Sequence, residues 1–435
     1  YLPFTDHNAS DRKSTNRGHK LEIKGNFTNN GNVDFSNRTA SNYDTNSSNK
    51  VDVYFTNESV DQDVIINGET KFYAIICDKG SDMTRVLNID AQSTGLFHLY
   101  GYCYGRHYEH TGDFYLSLKI ANGTLRLGRN IVIESLTGGH GSYGYKIDET
   151  ACLWIDGANV KLYSGGYDSK ALYVHGKLKM SNSASSFLVN TTDGMVNRNT
   201  ADVEIEDGHL TTSYIRTSLQ GGTHIGSLTV KGGTLELNRS TNTQTGHATL
   251  SLTYPNNAFN MSGGEIIIHK ANGAGFDIAI GCNPGNCNVT GGTVRLLCAD
   301  GGGKNIISTA PFWNLEIGSV GGKDVTIKNF NGGDGSQSIA IQPLVVLNDL
   351  TIKNGGTLNT GDQNIVVGHN FTIENGGTYN PGTNTTIFNG DGTNQNFTVA
   401  GTIGNNGLNN LTLAQGATLT MQNSVTVRSV LTLET

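Results

Sequence analysis

Apolar and polar residues alternate along this chain in short runs that glycine repeatedly interrupts. In "LTIKNGGTLN", Leu350 and Ile352 alternate with Thr351 and Lys353. That is the period-two signature of a strand with one buried face. Asn354-Gly355-Gly356 breaks the strand and Thr357-Leu358-Asn359 resumes it, since glycine turns at little steric cost. Related phrases begin at Phe371, Leu411 and Leu431. If the long middle interval, Phe371 to Leu411, spans two turns of a repeat, the step is about 20 residues throughout. Looser copies start at Leu118, Leu153, Leu172, Val203, Leu228, Phe259 and Cys287. Their corner glycines are Gly123, Gly157, Gly176, Gly208, Gly232, Gly263 and Gly291.

A period of this length marks a solenoid, a propeller or an array. Alternation excludes helical repeats, and a propeller blade needs roughly 40 residues and four strands. The pattern therefore predicts an all-β, right-handed parallel β-helix with coils of about 20–34 residues. Its core should hold Leu350, Ile352, Phe371, Ile373, Leu411, Leu413, Leu431 and Leu433 in axial ladders, with Thr351, Thr372 and Thr412 outside. Three stretches are expected: a polar N-terminal segment over 1–20, irregular first coils with long loops over 21–115, and a regular β-helix over 116–435 that continues beyond Thr435. The alternative for the first coils is a separate β-sandwich cap. The final Leu431-Thr432-Leu433-Glu434-Thr435 restarts the unit without a corner glycine. This predicts a piece of a longer rod, contacting further coils of the same polypeptide or neighbouring subunits, because bare strand edges recruit other chains.

Composition narrows the partners. Among 435 residues there are 57 glycines and only 6 prolines, 15% are charged, and the formal net charge is −7. With no basic run, nucleic acid is not an expected partner. No apolar run reaches the roughly 18 residues of a membrane helix. The start at Tyr1 carries no signal-peptide pattern. Low charge, few Lys and abundant Ser, Thr and Asn suit an extracellular protein.

"GNFTNNGNVDF", "LNDLTIKNGGTLN", "VVGHNFTIENGGTYN" and "LNNLTLAQGATLTMQNSVTV" resemble the repetitive β-helical regions of large surface proteins of Bacteroidota. Those are commonly exported by type IX secretion and include gliding-motility and other adhesins. The resemblance covers roughly residues 203–435 and 21–35. It implies a repeat class and a cell-surface setting, and it specifies no activity.

Since many β-helices degrade polysaccharides, the acids matter. Inverting hydrolysis needs two carboxylates several ångströms apart. The chain has no Asp-Asp dipeptide, and Asp90, Asp156, Glu204 and Glu206 are scattered singly. "YCYGRHYEHTGDFY", from Tyr102 to Tyr115, offers Cys103, His107 and His110 but no fourth metal ligand. Its aromatic neighbourhood, above all Tyr100, Tyr102, Tyr104 and Tyr108, is the candidate glycan-binding surface, because amphipathic rings stack on sugars. In "CNPGNC" a Pro-Gly turn brings Cys282 and Cys287 together as a disulfide candidate, which would contribute about 2 kcal/mol. Two free thiols, or a site shared with Cys298 and His269, are the alternatives. "NGGDGSQ" and "NGDGTNQN" resemble fragments of calcium loops but lack the closing carboxylate, so turn chemistry explains them. No cofactor and no metal site is expected. The reading is a non-catalytic extracellular cell-surface adhesin or stalk segment that binds glycans or host or environmental surfaces. A carbohydrate-active enzyme on a β-helix is the alternative, and a structural filament subunit the second alternative.

Overall fold

A computed structural model of the chain describes residues 18–37, 50–101, 117–133, 146–164, 172–189, 195–197, 201–217, 226–237, 248–269, 275–297, 304–318, 323–333, 336–390, 392 and 394–434. Among them there are many short strands, two 3-10 turns at Pro284–Asn286 and Gly404–Asn406, and no α-helix. Every named strand pair is parallel, each strand lying on its counterpart one coil on; for example, Leu350 pairs with Phe371 and Ile352 with Ile373. The fold is an all-β parallel β-helix. It divides into two compact units, one formed by the described residues up to Ser213 and the other by those from Tyr214 onward.

In the N-terminal unit each coil contributes to three sheets. The first runs through Gly18–Ile23, Lys50–Phe55, Ala74–Asp78 and the start of Leu118–Leu127. The second runs through Phe27–Asn29, Gln62–Ile66, Val86–Ala91, the end of Leu118–Leu127, Ala151–Ile155, Lys177–Val189 and Asp202–Thr212. The third begins with Val33–Asp34, Thr70–Phe72 and Phe97–Leu99. The described part of 21–115 is therefore β-helix and not a sandwich cap. Pairing continues across residue 115, and the compact division falls at 213/214.

The C-terminal unit repeats this plan. Its first sheet includes Phe276–Ile280, Lys304–Ser308, Lys323–Ile327, Gly356–Asn359 and Thr378–Asn380. Its second holds Leu344–Val346, Ile365–Val367, Thr385–Phe388, Leu408–Leu413 and Val427–Leu433. Its third holds Asn314–Ile317, Leu350–Ile352, Phe371–Ile373, Asn394–Val399 and Thr418–Met421.

These assignments correct the expected ladder. Phe371 stacks on Phe397 in the third sheet, whereas Leu411 stacks on Thr386 in the second. The interval from Phe371 to Leu411 is thus one coil and part of the next, and the look-alike phrases fill two different corners. The glycine pairs show why both corners accept the same letters. At the corner from second to third face, Gly264 has φ +67° and Gly263 lies so close to the previous coil that a Cβ would meet Lys231 O at 2.4 Å. From third to first face the order reverses: Gly355 has φ +76°, and a Cβ on Gly356 would meet Ile317 O at 2.4 Å. One glycine supplies the left-handed backbone and the other the close approach.

Leu350, Ile352, Phe371, Ile373 and Leu411 are buried as expected, and the intervening threonines face outward. Leu413 is half-buried, while Leu431 and Leu433 are 56% and 63% exposed. Their strand pairs only with Leu408–Leu413 among the described residues. The shortest coil steps, such as Leu411 to Leu431, match the expected length, but the step from Ile75 to Leu118 exceeds the expected range. Loops of different length leave the constant core at the corners, so the step varies while the register does not.

Candidate functional site

The outer face of the second sheet in the N-terminal unit gathers most of the chemistry. Because side chains alternate across a strand, the residues between the buried Leu87, Ile89, Leu125, Leu127, Leu153 and Ile155 point outward. Register then aligns Asp63, Asn88, Arg126, Trp154, Lys179 and Glu204 in one column. Trp154 sits between two cations: the Arg126 guanidinium is 5.1 Å and the Lys179 ammonium 5.3 Å from its ring centroid. Its faces are thereby occupied, and each cation–π contact contributes about 0.5–1 kcal/mol or more.

Hydrogen bonds extend the column sideways. Trp154 Nε1 donates to Ser181 Oγ (2.7 Å), and Ser181 Oγ donates to Asp156 Oδ1 (2.6 Å). Arg126 donates through Nε to Asp156 Oδ2 (2.7 Å) and through Nη1 to Asn88 Oδ1 (2.8 Å). Asn88 Nδ2 in turn donates to Asp90 Oδ2 (2.8 Å), and the Arg129 amide donates to Asp90 Oδ1 (2.9 Å). Lys179 pairs with Glu206 (2.9 Å), and Lys177 with Asp202 (2.9 Å) and Glu204. Burial disfavours the charge on Lys177, but the hydrogen bonds and charges of Glu204 and Asp202 outweigh it and hold its ammonium above the usual range.

The four acids that stand singly in the sequence therefore share one face. Asp90 and Asp156 even flank one residue of the intervening coil, Gly128, whose amide bonds Ile89 O while the Asp156 amide bonds Leu127 O. Their backbones are two coil steps, roughly 9–10 Å, apart. A Cβ on Gly128 would meet Asp90 Oδ1 at 2.4 Å, so the carboxylate leans over a gap that glycine leaves. No sequence signal marks this pair, because the two coil steps between them have different lengths.

The aromatic candidate fares differently. Tyr100 is buried, with its ring stacked on His98 at 5.2 Å, and Phe97 lies in the core. Tyr100 is thus no exposed sugar platform: its amide bonds Phe72 O and draws it against the third sheet. Tyr102, Tyr104 and Tyr108 lie outside the described residues, as do Cys103, His107, His110 and Cys298. Among the described residues no group of three or more His, Cys, Asp or Glu side chains comes together as a metal site requires, and no helix is long and apolar enough to cross a membrane. His269 is taken up by Glu236, at 2.6 Å. Where they are described, the calcium-like segments are tied up by hydrogen bonds within the chain: Gly332 N bonds Ser338 Oγ, and Gln395, already in the strand Asn394–Val399, ties the Gly390 amide to the carbonyls of Val367 and His369.

Cys282 and Cys287 are both free thiols and not a closed disulfide, but each lies within hydrogen-bonding reach of the other. Cys77 and Cys152 are buried thiols, and burial pushes them up to about 12 and about 11.

No protein-family model matches this chain, and neither a curated protein nor a solved structure shows significant similarity to it.

Proposed function

We propose that this chain is a non-catalytic segment of an extracellular surface protein, a stalk or adhesin of the kind its repeat phrases resemble, which meets glycans or environmental surfaces through its outer faces and loops. The observation that supports this is the pairing on the N-terminal outer face. Asp90 and Asp156 each accept two or more hydrogen bonds, from Asn88, Arg129, Arg126 and Ser181. Carboxylates committed in this way are poorly placed to serve as a general acid and base, which need one raised and one free group. They do join successive coils, as a load-transmitting stalk requires. Surface labelling of intact producing cells with antibody to the chain, together with a glycan array probed with the whole chain, tests the reading. Labelling of unpermeabilised cells and retained, uncleaved glycans are expected. Labelling only after permeabilisation would overturn it.

A carbohydrate-active enzyme is the second reading, favoured by Asp90 and Asp156 on either side of Gly128. It requires new reducing ends or unsaturated uronides when acidic polysaccharides are incubated with the chain, lost in Asp156→Asn.

A further inference from the structure

The corner between Phe276–Ile280 and Cys287–Leu296 carries a second kind of chemistry. The chain leaves the first strand at Gly281, passes through the 3-10 turn Pro284–Asn286 and re-enters a strand at Cys287. The turn is anchored at both ends. Gly281 N bonds Leu252 O (2.9 Å), Asn283 N bonds Pro255 O (2.9 Å), and Asn286 Nδ2 bonds the same Pro255 carbonyl (3.0 Å). Thr309 Oγ1 of the next coil donates to Cys282 O (2.6 Å), and the Cys287 amide bonds Pro284 O. The backbones of both cysteines are thus held by neighbouring coils, Cys282 by Thr309 and Cys287 by its pairing with Phe259, with their thiols donating to Leu252 O (3.7 Å) and Asn283 O (3.5 Å) at the two ends of one turn.

The two thiols are not equivalent. Cys282 is 1% exposed, and besides Cys287 its S–H faces the Leu252 carbonyl at 3.7 Å. Cys287 is half-buried beside an exposed tip in which a Cβ on Gly285 would meet nothing within 4 Å. A hydrogen bond from Cys282 stabilises the Cys287 thiolate and lowers its pKa, whereas Cys282 is raised first by donating that bond and then by burial. A thiolate with a solvent route is the reactive form of cysteine, and a buried thiol is inert to outside reagents.

We propose that Cys282 and Cys287 are a reversible dithiol–disulfide couple in which Cys287 attacks and Cys282 closes the bridge. The oxidant is a low-molecular-weight disulfide, RSSR. The Cys287 thiolate attacks one sulfur, forming Cys287–S–SR and expelling RS⁻, which takes a proton to become RSH. Cys282 then gives up its proton and attacks the Cys287 sulfur, forming the intramolecular bridge and expelling the second RS⁻, which takes that proton. Two protein thiols and one RSSR become one protein disulfide and two RSH, and an excess of RSH reverses both steps. The corner is then a site where a thiol-exchanging environment sets the covalent state of the β-helix.

The test uses the whole chain with oxidised glutathione, followed by non-reducing peptide mapping. Wild type is expected to lose two hydrogens in the peptide holding residues 282–287 and to recover them with excess reduced glutathione. In Cys282→Ser, Cys287 should keep glutathione as a stable mixed disulfide. In Cys287→Ser, Cys282 should stay unmodified. Iodoacetamide should label Cys287 in native wild type at least about tenfold faster than Cys77 or Cys152. The wild-type map decides even if a variant fails to fold. Two separate glutathione adducts, or none, at this peptide would overturn the couple. Faster modification of Cys282 in Cys287→Ser than of Cys287 in Cys282→Ser would overturn the assigned roles.

Discussion

Phe371 and Phe397 stack with ring centroids 5.1 Å apart and planes inclined by 24°, although a full coil of chain separates them. Tyr379 meets Phe371 edge-on at 5.1 Å, and Phe388 packs tilted against Phe397 at 5.6 Å. One aromatic cluster thus draws on all three faces of neighbouring coils.

Truncating that cluster should be strongly destabilising. Phe371→Ala or Phe397→Ala is expected to cost about 3–5 kcal/mol, the usual range for a buried aromatic. Leu431→Ala, at a side chain 56% exposed, should stay within about 0.5 kcal/mol. Urea unfolding of the three variants beside wild type measures this. Equal losses at Phe397 and Leu431 would refute the assigned ladder.

The corner glycines should separate sharply by environment. Gly264 has φ +67° and would place a Cβ 2.6 Å from Gly232 O, so Gly264→Ala is expected to lose more than about 1 kcal/mol. Gly285 has an ordinary φ and open space around it, so Gly285→Ala should be neutral or slightly stabilising. Thermal midpoints of the two alanine variants give the comparison.

Lys79 is fully buried, and its ammonium donates to Asn57 O (2.9 Å), Val60 O (3.0 Å) and Gln62 Oε1 (2.8 Å). From the following coil it closes the loop that joins Lys50–Phe55 to Gln62–Ile66. Lys79→Met keeps the length but leaves those oxygens without their donor, a loss of about 2–4 kcal/mol. Denaturant unfolding reads the loss, and hydrogen exchange should speed up first at residues 57–62. Unchanged exchange there would refute the role.

Asp362 gives a pH signature. The Thr383 amide donates to its Oδ1 at 2.8 Å, and that bond, reinforced by the Thr383 hydroxyl, holds the carboxyl below its ordinary 3.8. A group depressed on folding stabilises the fold above the unfolded value and loses that contribution as pH falls through the lower folded value. A carbon-13 titration of the Asp362 carboxyl should show a midpoint below 3.8. Thr383→Val removes the hydroxyl and keeps the amide, so the midpoint should return only part of the way.

What could be read from the sequence follows how local each feature is. Leu350-Thr351-Ile352 announces its buried and exposed sides because alternation is a property of adjacent residues. The approach of Cys282 to Cys287 is likewise carried by one short turn. The placement of Leu411 was not legible: its phrase matches that at Leu350, and only the partner across the coil, Thr386 as against Phe371, distinguishes the faces. The face shared by Asp90, Asp156, Glu204 and Glu206 was hidden for the same reason. Tyr100 misleads in another way, since a ring at a strand end packs inward or outward with no change in composition.

The similarity between the phrases at Leu350 and Leu411 also bears on how the chain finds its structure. Parallel pairing brings together residues a whole coil apart in sequence, so each coil must close before its contacts form, which slows folding. Two segments that alternate alike and turn on like glycines compete for the same growing edge, and a swap between them leaves most backbone bonds and buried leucines satisfied. The penalty falls on the non-repeating side chains: Tyr379, whose hydroxyl needs Thr386 and Asn384, and the Phe371–Phe397 stack. We expect refolding from urea to pass through misthreaded species with native-like strand content, resolved in double-jump experiments as a slow phase with no counterpart in unfolding. On this account the odd residues among the repeats act as proofreaders of threading, and a chain made more uniform at Tyr379 and Phe397 would fold to a less singular state.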